Sequence, residues 1–173
     1  MKQVRLGWAL ALLASMTMAM PVSAAPVGAV PPARARALLL TPLTLTRIQD
    51  LDFGTIMTSP TAGMVSINAT TGARSTSGGV TGLGSASGQR ARFAGAGTAG
   101  QQVFILLVPP PVLTNSVSGE TIDLLAMSLD GSPIRTINSS RAFFVGVGGV
   151  LSVAADQGEG LYSAEFEIYA DYQ

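Results

Sequence analysis

The sequence predicts an all-β protein, an antiparallel immunoglobulin-like β-sandwich of about eight to ten short strands. Three observations carry this. Apolar residues recur with period two or in short runs, and β-branched residues concentrate in those runs. No segment beyond the N-terminal stretch sustains a helical period. Between the runs stand Gly, Pro, Asn and Asp, with 20 glycines and 10 prolines in 173 residues, which is turn chemistry. A closed barrel is the structural alternative.

Taken in order, Lys2 and Arg5 make a basic start, residues 6–20 an apolar stretch, and Pro21-Val22-Ser23-Ala24 a small-residue cleavage site. Residues 1–24 therefore read as a Sec-type signal peptide cleaved after Ala24, with an uncleaved anchor as the alternative. Removing them leaves 149 of the 173 residues, enough for one domain with a real core but hardly for two. Residues 25–37 mix Pro26, Pro31 and Pro32 with alanines, Arg34 and Arg36, and are expected to form a flexible arm, since proline cannot donate to a central ladder. The sandwich domain is expected over 38–173. Its strands are predicted at 38–46, 51–56, 64–68, 91–94, 103–108, 121–129, 134–137, 142–147 and 150–154. The run at 103–108 is apolar on both faces and stops at three prolines, so it should lie centrally or bury a second face against another chain. Asp130-Gly131 reads as a hairpin turn. Residues 69–100 are rich in Gly, Ser, Thr and Ala, which disfavours long regular strands.

Composition excludes most chemistry. Trp8 and Lys2 leave with the signal, and the chain has no histidine and no cysteine, so the mature protein has no His, Cys, Lys or Trp. Triads that need His, Cys nucleophiles, Schiff-base lysines and His or Cys zinc sites are therefore out of reach, and the expectation is a protein that is not an enzyme. The fold must also hold without a disulfide, although export would permit one. Only carboxylates remain. Asp50 with Asp52, or Asp156 with Glu159, suggest weak calcium binding or acid–base chemistry. The plainer reading of Asp50-x-Asp52 is a solvated face opposite Leu51 and Phe53, and no cofactor or metal is expected. Gly95-x-Gly97-x-x-Gly100 matches a dinucleotide fingerprint as a string, but it precedes a strand instead of following one, so it reads as a turn. Eight arginines against ten acidic residues remain after cleavage, a balance that attracts no nucleic acid.

The most informative feature is the C-terminal stretch from Gly160 to Gln173, predicted as one unbroken strand. Tyr162, Ala164, Phe166, Ile168, Ala170 and Tyr172 share one face, and Ser163, Glu165, Glu167, Tyr169 and Asp171 the other. All three tyrosines of the chain lie here. The inward face is a large apolar surface that some neighbouring strand must cover.

A glycine at this offset, alternating apolar residues and a penultimate aromatic residue make the ending resemble the chaperone-recognition strand of bacterial chaperone-usher pilins. Gly160, Phe166, Ile168 and Tyr172 stand at the matching places. The whole mature chain also resembles a family of exported bacterial proteins, the domain of unknown function numbered 4402, thought to be pilin-like. The residues carrying that likeness are Pro42-Leu43-Thr44-Leu45 leading to Asp50-Leu51-Asp52-Phe53-Gly54-Thr55-Ile56, then Gly148-Gly149-Val150-Leu151-Ser152-Val153, then Gly160-Leu161-Tyr162-Ser163.

The resemblance implies a structural, non-catalytic subunit of a surface fibre or pilus assembled by β-strand donation. Its partners would be a periplasmic pilus-type chaperone, an outer-membrane usher and like subunits. It would pass through the periplasm to the cell surface or fimbrium, with no membrane span after signal cleavage. Gly160, Tyr162, Phe166, Ile168 and Tyr172 would form the subunit or chaperone interface, and Val27, Ala29, Ala33 and Ala35 the donor face of the arm. Two departures stand out: the cysteine pair of many pilins is missing, and the arm's apolar residues are small and interrupted by Pro31-Pro32. The alternative is a self-complete secreted sandwich that binds a glycan or surface ligand as a monomer.

Overall fold

The computed structural model describes residues 25–173; the expected signal peptide lies outside the described residues. The chain divides into two units after Leu38. Residues 25–38 carry no strand, and every one of them is exposed.

The remainder is all-β. Its strands are β1 (Thr44–Gln49), β2 (Ile56–Met57), β3 (Gly63–Ile67), β4 (Arg74–Gly78), β5 (Thr81–Gly82), β6 (Ala91–Ala96), β7 (Gln102–Val108), β8 (Val112–Asn115), β9 (Thr121–Leu129), β10 (Ile134–Thr136), β11 (Ala142–Val153), β12 (Tyr162–Ser163) and β13 (Glu167–Tyr172). Nine of the thirteen are four residues or longer, and every pairing is antiparallel. The large sheet runs β1-β6-β11-β9-β8-β12, with β3 also on β11 and β4 beyond β3. The small sheet is β10-β7-β13, and β2 pairs with β5 alone.

The long β11 organises the molecule. Its first half pairs with β6 and its second half with β3, while β9 runs along the opposite side. The sequence predicts two strands here, split at Gly148-Gly149, but the strand is continuous. These glycines serve close approach instead of a turn: a Cβ on Gly148 would sit 2.5 Å from the Ala69 nitrogen, and one on Gly149 would touch the Phe53 ring at 3.2 Å.

Two apolar clusters follow from this layout. The first joins the sheets face to face: Ala91, Phe93, Phe143, Val145 and Val147 of the large sheet meet Val103 and Ile105 of β7 and Ile137 just past β10. The second lies under the other half of the large sheet, where Val65, Ile67, Ile122, Leu151 and Val153 are covered by Phe53 and Val80. No strand of the small sheet contributes to it. Burying each large apolar side chain contributes about 1.5–3 kcal/mol, so the first cluster is stabilised as a two-sheet interior and the second is only partly roofed.

Strand β7 is central in its sheet, as its two-sided apolarity predicts. Its inner Val103 and Ile105 are buried, and its outer Phe104, Leu106 and Val108 remain exposed. Four expectations are corrected. The first strand, expected at 38–46, begins only at Thr44 and reaches Gln49, and most of the stretch expected as a strand at 51–56 is loop, held by an Asp52–Gln89 bridge. Asp130-Gly131 is not a hairpin turn, because β9 and β10 belong to different sheets. The Asp130 carboxylate instead takes Arg135 at 2.6 Å as the chain crosses over. Strand β4, inside the low-complexity stretch, has no counterpart in the sequence reading; it is held by its ladder to β3 and a 2.7 Å Ser66–Ser75 hydroxyl contact. Finally, the C-terminal stretch is not one strand. β12 pairs with β8 in the large sheet and β13 with β7 in the small one, with residues 164–166 passing between them.

Candidate functional site

The partly roofed half of the large sheet opens into a groove of about 1090 Å³. One wall is the segment 47–58, which follows from β1; the other is 157–166, which leads into the last strands. The floor is apolar, formed by Phe93, Leu113, Ile122, Leu124, Leu151 and Val153. Asp50, Asp52, Glu159 and Glu165 stand exposed at the rim, with Arg47 as the single guanidinium.

The last strand, which follows the wall at 157–166, has an uncovered edge among the described residues. In β13 the odd-numbered residues form the hydrogen-bonded pairs with β7, a register continued by the Gln173 amide donating to the Gln102 carbonyl at 3.0 Å. By antiparallel alternation, Ile168, Ala170 and Tyr172 direct their N–H and C=O groups the other way. Among the described residues, no strand pairs there. Their side chains meanwhile face the first core cluster.

Three of the predicted interface residues, Gly160, Tyr162 and Phe166, fall on the 157–166 wall. Gly160 opens it at φ 138°, where the buried Asn115 amide lies against its Cα and leaves no room for a side chain. Asn115 fixes the approach by donating to the Glu159 carbonyl at 3.2 Å and accepting from the Val117 amide at 2.9 Å. The Tyr162 hydroxyl accepts from Gln157 Nε2 at 3.1 Å and lies 2.8 Å from the Gly158 carbonyl and 2.9 Å from Glu120 Oε2. Phe166 meets Phe93 edge to face, with ring centroids 6.0 Å apart at 82°. Ile168 and Tyr172 lie beyond the groove, on β13.

Tyr172 closes that end. Its hydroxyl donates to the Thr41 carbonyl and accepts from the Thr98 amide, each at 2.7 Å. Burial pushes its phenol up, but the Thr98 hydroxyl and amide, the Thr41 hydroxyl and the nearby Arg141 charge together bring it below the ordinary value. The hydroxyl thus ties the end of β13 to the segment before β1 and to the turn between β6 and β7.

The residues of the second resemblance converge on the opposite wall. Leu51 and Phe53 reach Gly149 and line the groove with Leu151. Gly54 takes φ 75°, and a Cβ there would lie 2.5 Å from Arg74 Nη1. Arg74 is what the sequence reading missed. Its guanidinium donates to the Phe53, Thr55, Ala86 and Leu83 carbonyls at 3.2, 3.1, 2.8 and 2.6 Å, stitching this wall together from β4. An arginine in a Ser/Gly-rich stretch carries no periodic signal that could have marked it.

The carboxylates considered for chemistry do not form a joint site. Asp50 pairs with Arg47 at 2.8 Å and Asp52 accepts from the Gly54 amide at 2.7 Å. Among the described residues no group of three or more acidic side chains is placed to hold a metal ion. The glycine string divides between β6, where a Cβ on Gly95 would run into the Phe143 ring, and the turn before β7. Of the arm, Val27, Ala29, Ala33 and Ala35 are all exposed.

No curated protein and no solved structure matches the sequence. Residues 43–172 match the family described as "Domain of unknown function (DUF4402)". That span takes in every strand from β1 to β13, with both walls and the floor of the groove. The chain belongs to the DUF4402 family.

Proposed function

We propose that the protein is a non-catalytic structural subunit of a bacterial surface fibre, assembled when a strand from another molecule enters the open groove. One observation carries the reading: an apolar groove is walled by the segment leading into β13, and the outer edge of β13 has no strand partner among the described residues. An inserted strand pairs along such an edge and sends alternate side chains to the floor. Each large apolar side chain buried there contributes about 1.5–3 kcal/mol, so a few of them rival a domain's whole stability of about 5–15 kcal/mol. Donation from chain to chain is heterologous and builds an open filament. A periplasmic chaperone would hold the groove first, an usher would pass the subunit on, and the signal peptide would supply export.

The groove also supports the alternative, a self-complete domain that binds a glycan there. The absence of tryptophan from the mature chain weighs against this, since sugar sites favour aromatic faces, although Phe53, Phe93, Tyr162 and Phe166 line the groove. Unboiled electrophoresis of material sheared from cells separates the two. A ladder of multimers that disappears when residues 25–37 are deleted supports donation. A single monomer band, unaffected by the deletion, overturns it.

A further inference from the structure

We infer that the acidic rim of the groove sets the register of the donated N-terminal arm of a second copy of this chain by binding Arg34 and Arg36. The inference rests on strand donation by that arm and names what aligns it. Its first support is charge. The arm, residues 25–37, contains two arginines and no acidic residue, whereas the rim carries four carboxylates against one guanidinium.

The arginines of the arm are also among the few uncommitted cations. Arg74 and Arg90 hold backbone carbonyls, Arg135 holds Asp130, Arg141 bonds to Gly97 and Thr41, and Arg47 is paired with Asp50. Among the described residues, Arg34, Arg36 and Arg92 are left without a side-chain partner. Arg92 does not line the groove. On the acceptor side, the Glu159 and Glu165 carboxylates make no hydrogen bond or ion pair among the described residues, and Asp52 keeps free lone pairs beyond its bond from Gly54.

Shape alone leaves the register of the last part of this arm undetermined. In an extended strand Val27, Ala29, Pro31, Ala33, Ala35 and Ala37 share one face, and from Ala33 to Ala37 a two-residue slip exchanges alanine for alanine. Arg34 and Arg36 lie on the opposite face, about 7 Å apart. With the small residues inward, both guanidiniums ride at the level of the rim, where a slip would carry them away from their carboxylates.

The test uses a fluorescent synthetic peptide of residues 25–40, added in excess while the mature chain refolds from urea, with binding read by anisotropy. Raising ionic strength from about 0.05 to 0.5 M should weaken binding about 10-fold, through screening of exposed ion pairs. The peptide carrying Arg34→Glu and Arg36→Glu should lose a similar factor at low salt. Protein with Glu159→Lys and Glu165→Lys should reverse the preference and bind the charge-reversed peptide more tightly. The peptide comparisons need no altered protein, so they decide the matter even if that variant folds poorly. Equal binding of both peptides at all salt concentrations overturns the electrostatic register and leaves strand donation standing. No binding of either peptide overturns donation by this arm and the register with it.

Discussion

Replacing Arg74 with methionine tests whether one guanidinium holds the groove wall. Methionine matches the side chain's apolar length and removes every donor. Four carbonyls, at Phe53, Thr55, Leu83 and Ala86, lose their partner. Three of them share Nη1, whose two protons cannot serve three acceptors at full strength, so the effective count is about three bonds. At roughly 1–1.5 kcal/mol net for each, the loss is about 3–4 kcal/mol. With a urea slope of about 2 kcal/mol/M for a domain of this size, the unfolding midpoint should fall by about 1.5–2 M at unchanged slope. Arg74→Lys should recover at most half, because an ammonium cannot fork to carbonyls on two loops. Urea unfolding of the chain from residue 25, followed by circular dichroism, measures all three proteins. A midpoint shift under about 0.5 M for the methionine variant would refute the stitched-wall argument.

Two further outcomes concern tyrosines. The Tyr169 hydroxyl donates to Glu167 at 2.7 Å; that hydrogen bond first, and the carboxylate's charge second, hold its phenol above the ordinary value. A raised folded-state value supports the native state below the unfolded phenol range and loses that support as pH rises through the raised value. Wild-type protein should therefore lose melting temperature more steeply than Tyr169→Phe in the alkaline range, and parallel curves would refute this. Tyr172 ionises ahead of Tyr169, so Tyr172→Phe should remove an absorbance step lying below the Tyr169 step. Loss of the bonds to Thr41 and from Thr98 should also lower its melting temperature by about 3–5 °C. An unchanged melt would show that this hydroxyl does not tie the end of β13 to the segment before β1.

Where the apolar pattern is local, the sequence places the elements well. Strands β3, β6, β7 and β9 lie where period two or a short apolar run puts them, within a residue or two at either end. The failures are all matters of pairing. Strand β4 has no apolar residue, and its conformation is chosen by β3. The Gly148-Gly149 break is absent because those glycines admit neighbouring loops, a reason visible only once the loops are placed. The interruption of the C-terminal ribbon at 164–166 lies opposite the step between β7 and β8, where Pro109, Pro110 and Pro111 remove the amides a continuous ladder would use. Each wall of the groove was legible as a motif, through Gly160 to Tyr172 and Asp50 to Gly54. That the two walls enclose an open space was not, because a groove is set by which strands fail to be neighbours.

An uncovered strand edge beside an apolar groove is an aggregation hazard, and the composition of this edge limits it. Glu167 and Asp171 on the last strand and Glu165 just before it are exposed, and the shift between sheets at 164–166 divides the edge into short pieces. Two copies meeting edge to edge would bring these carboxylates together, and like charges across a ladder are destabilising. A strand bringing cations meets no such opposition, and residues 25–37 carry cations alone. The acidic edge thus discriminates between two unions that backbone pairing alone would treat alike. Replacing the three residues together by Glu165→Gln, Glu167→Gln and Asp171→Asn removes the repulsion and alters little shape. On dilution from urea that variant should scatter light sooner than wild type and form disordered aggregate that the arm peptide cannot prevent. Scattering that starts no earlier than in wild type would show that charge on this edge does not keep copies apart.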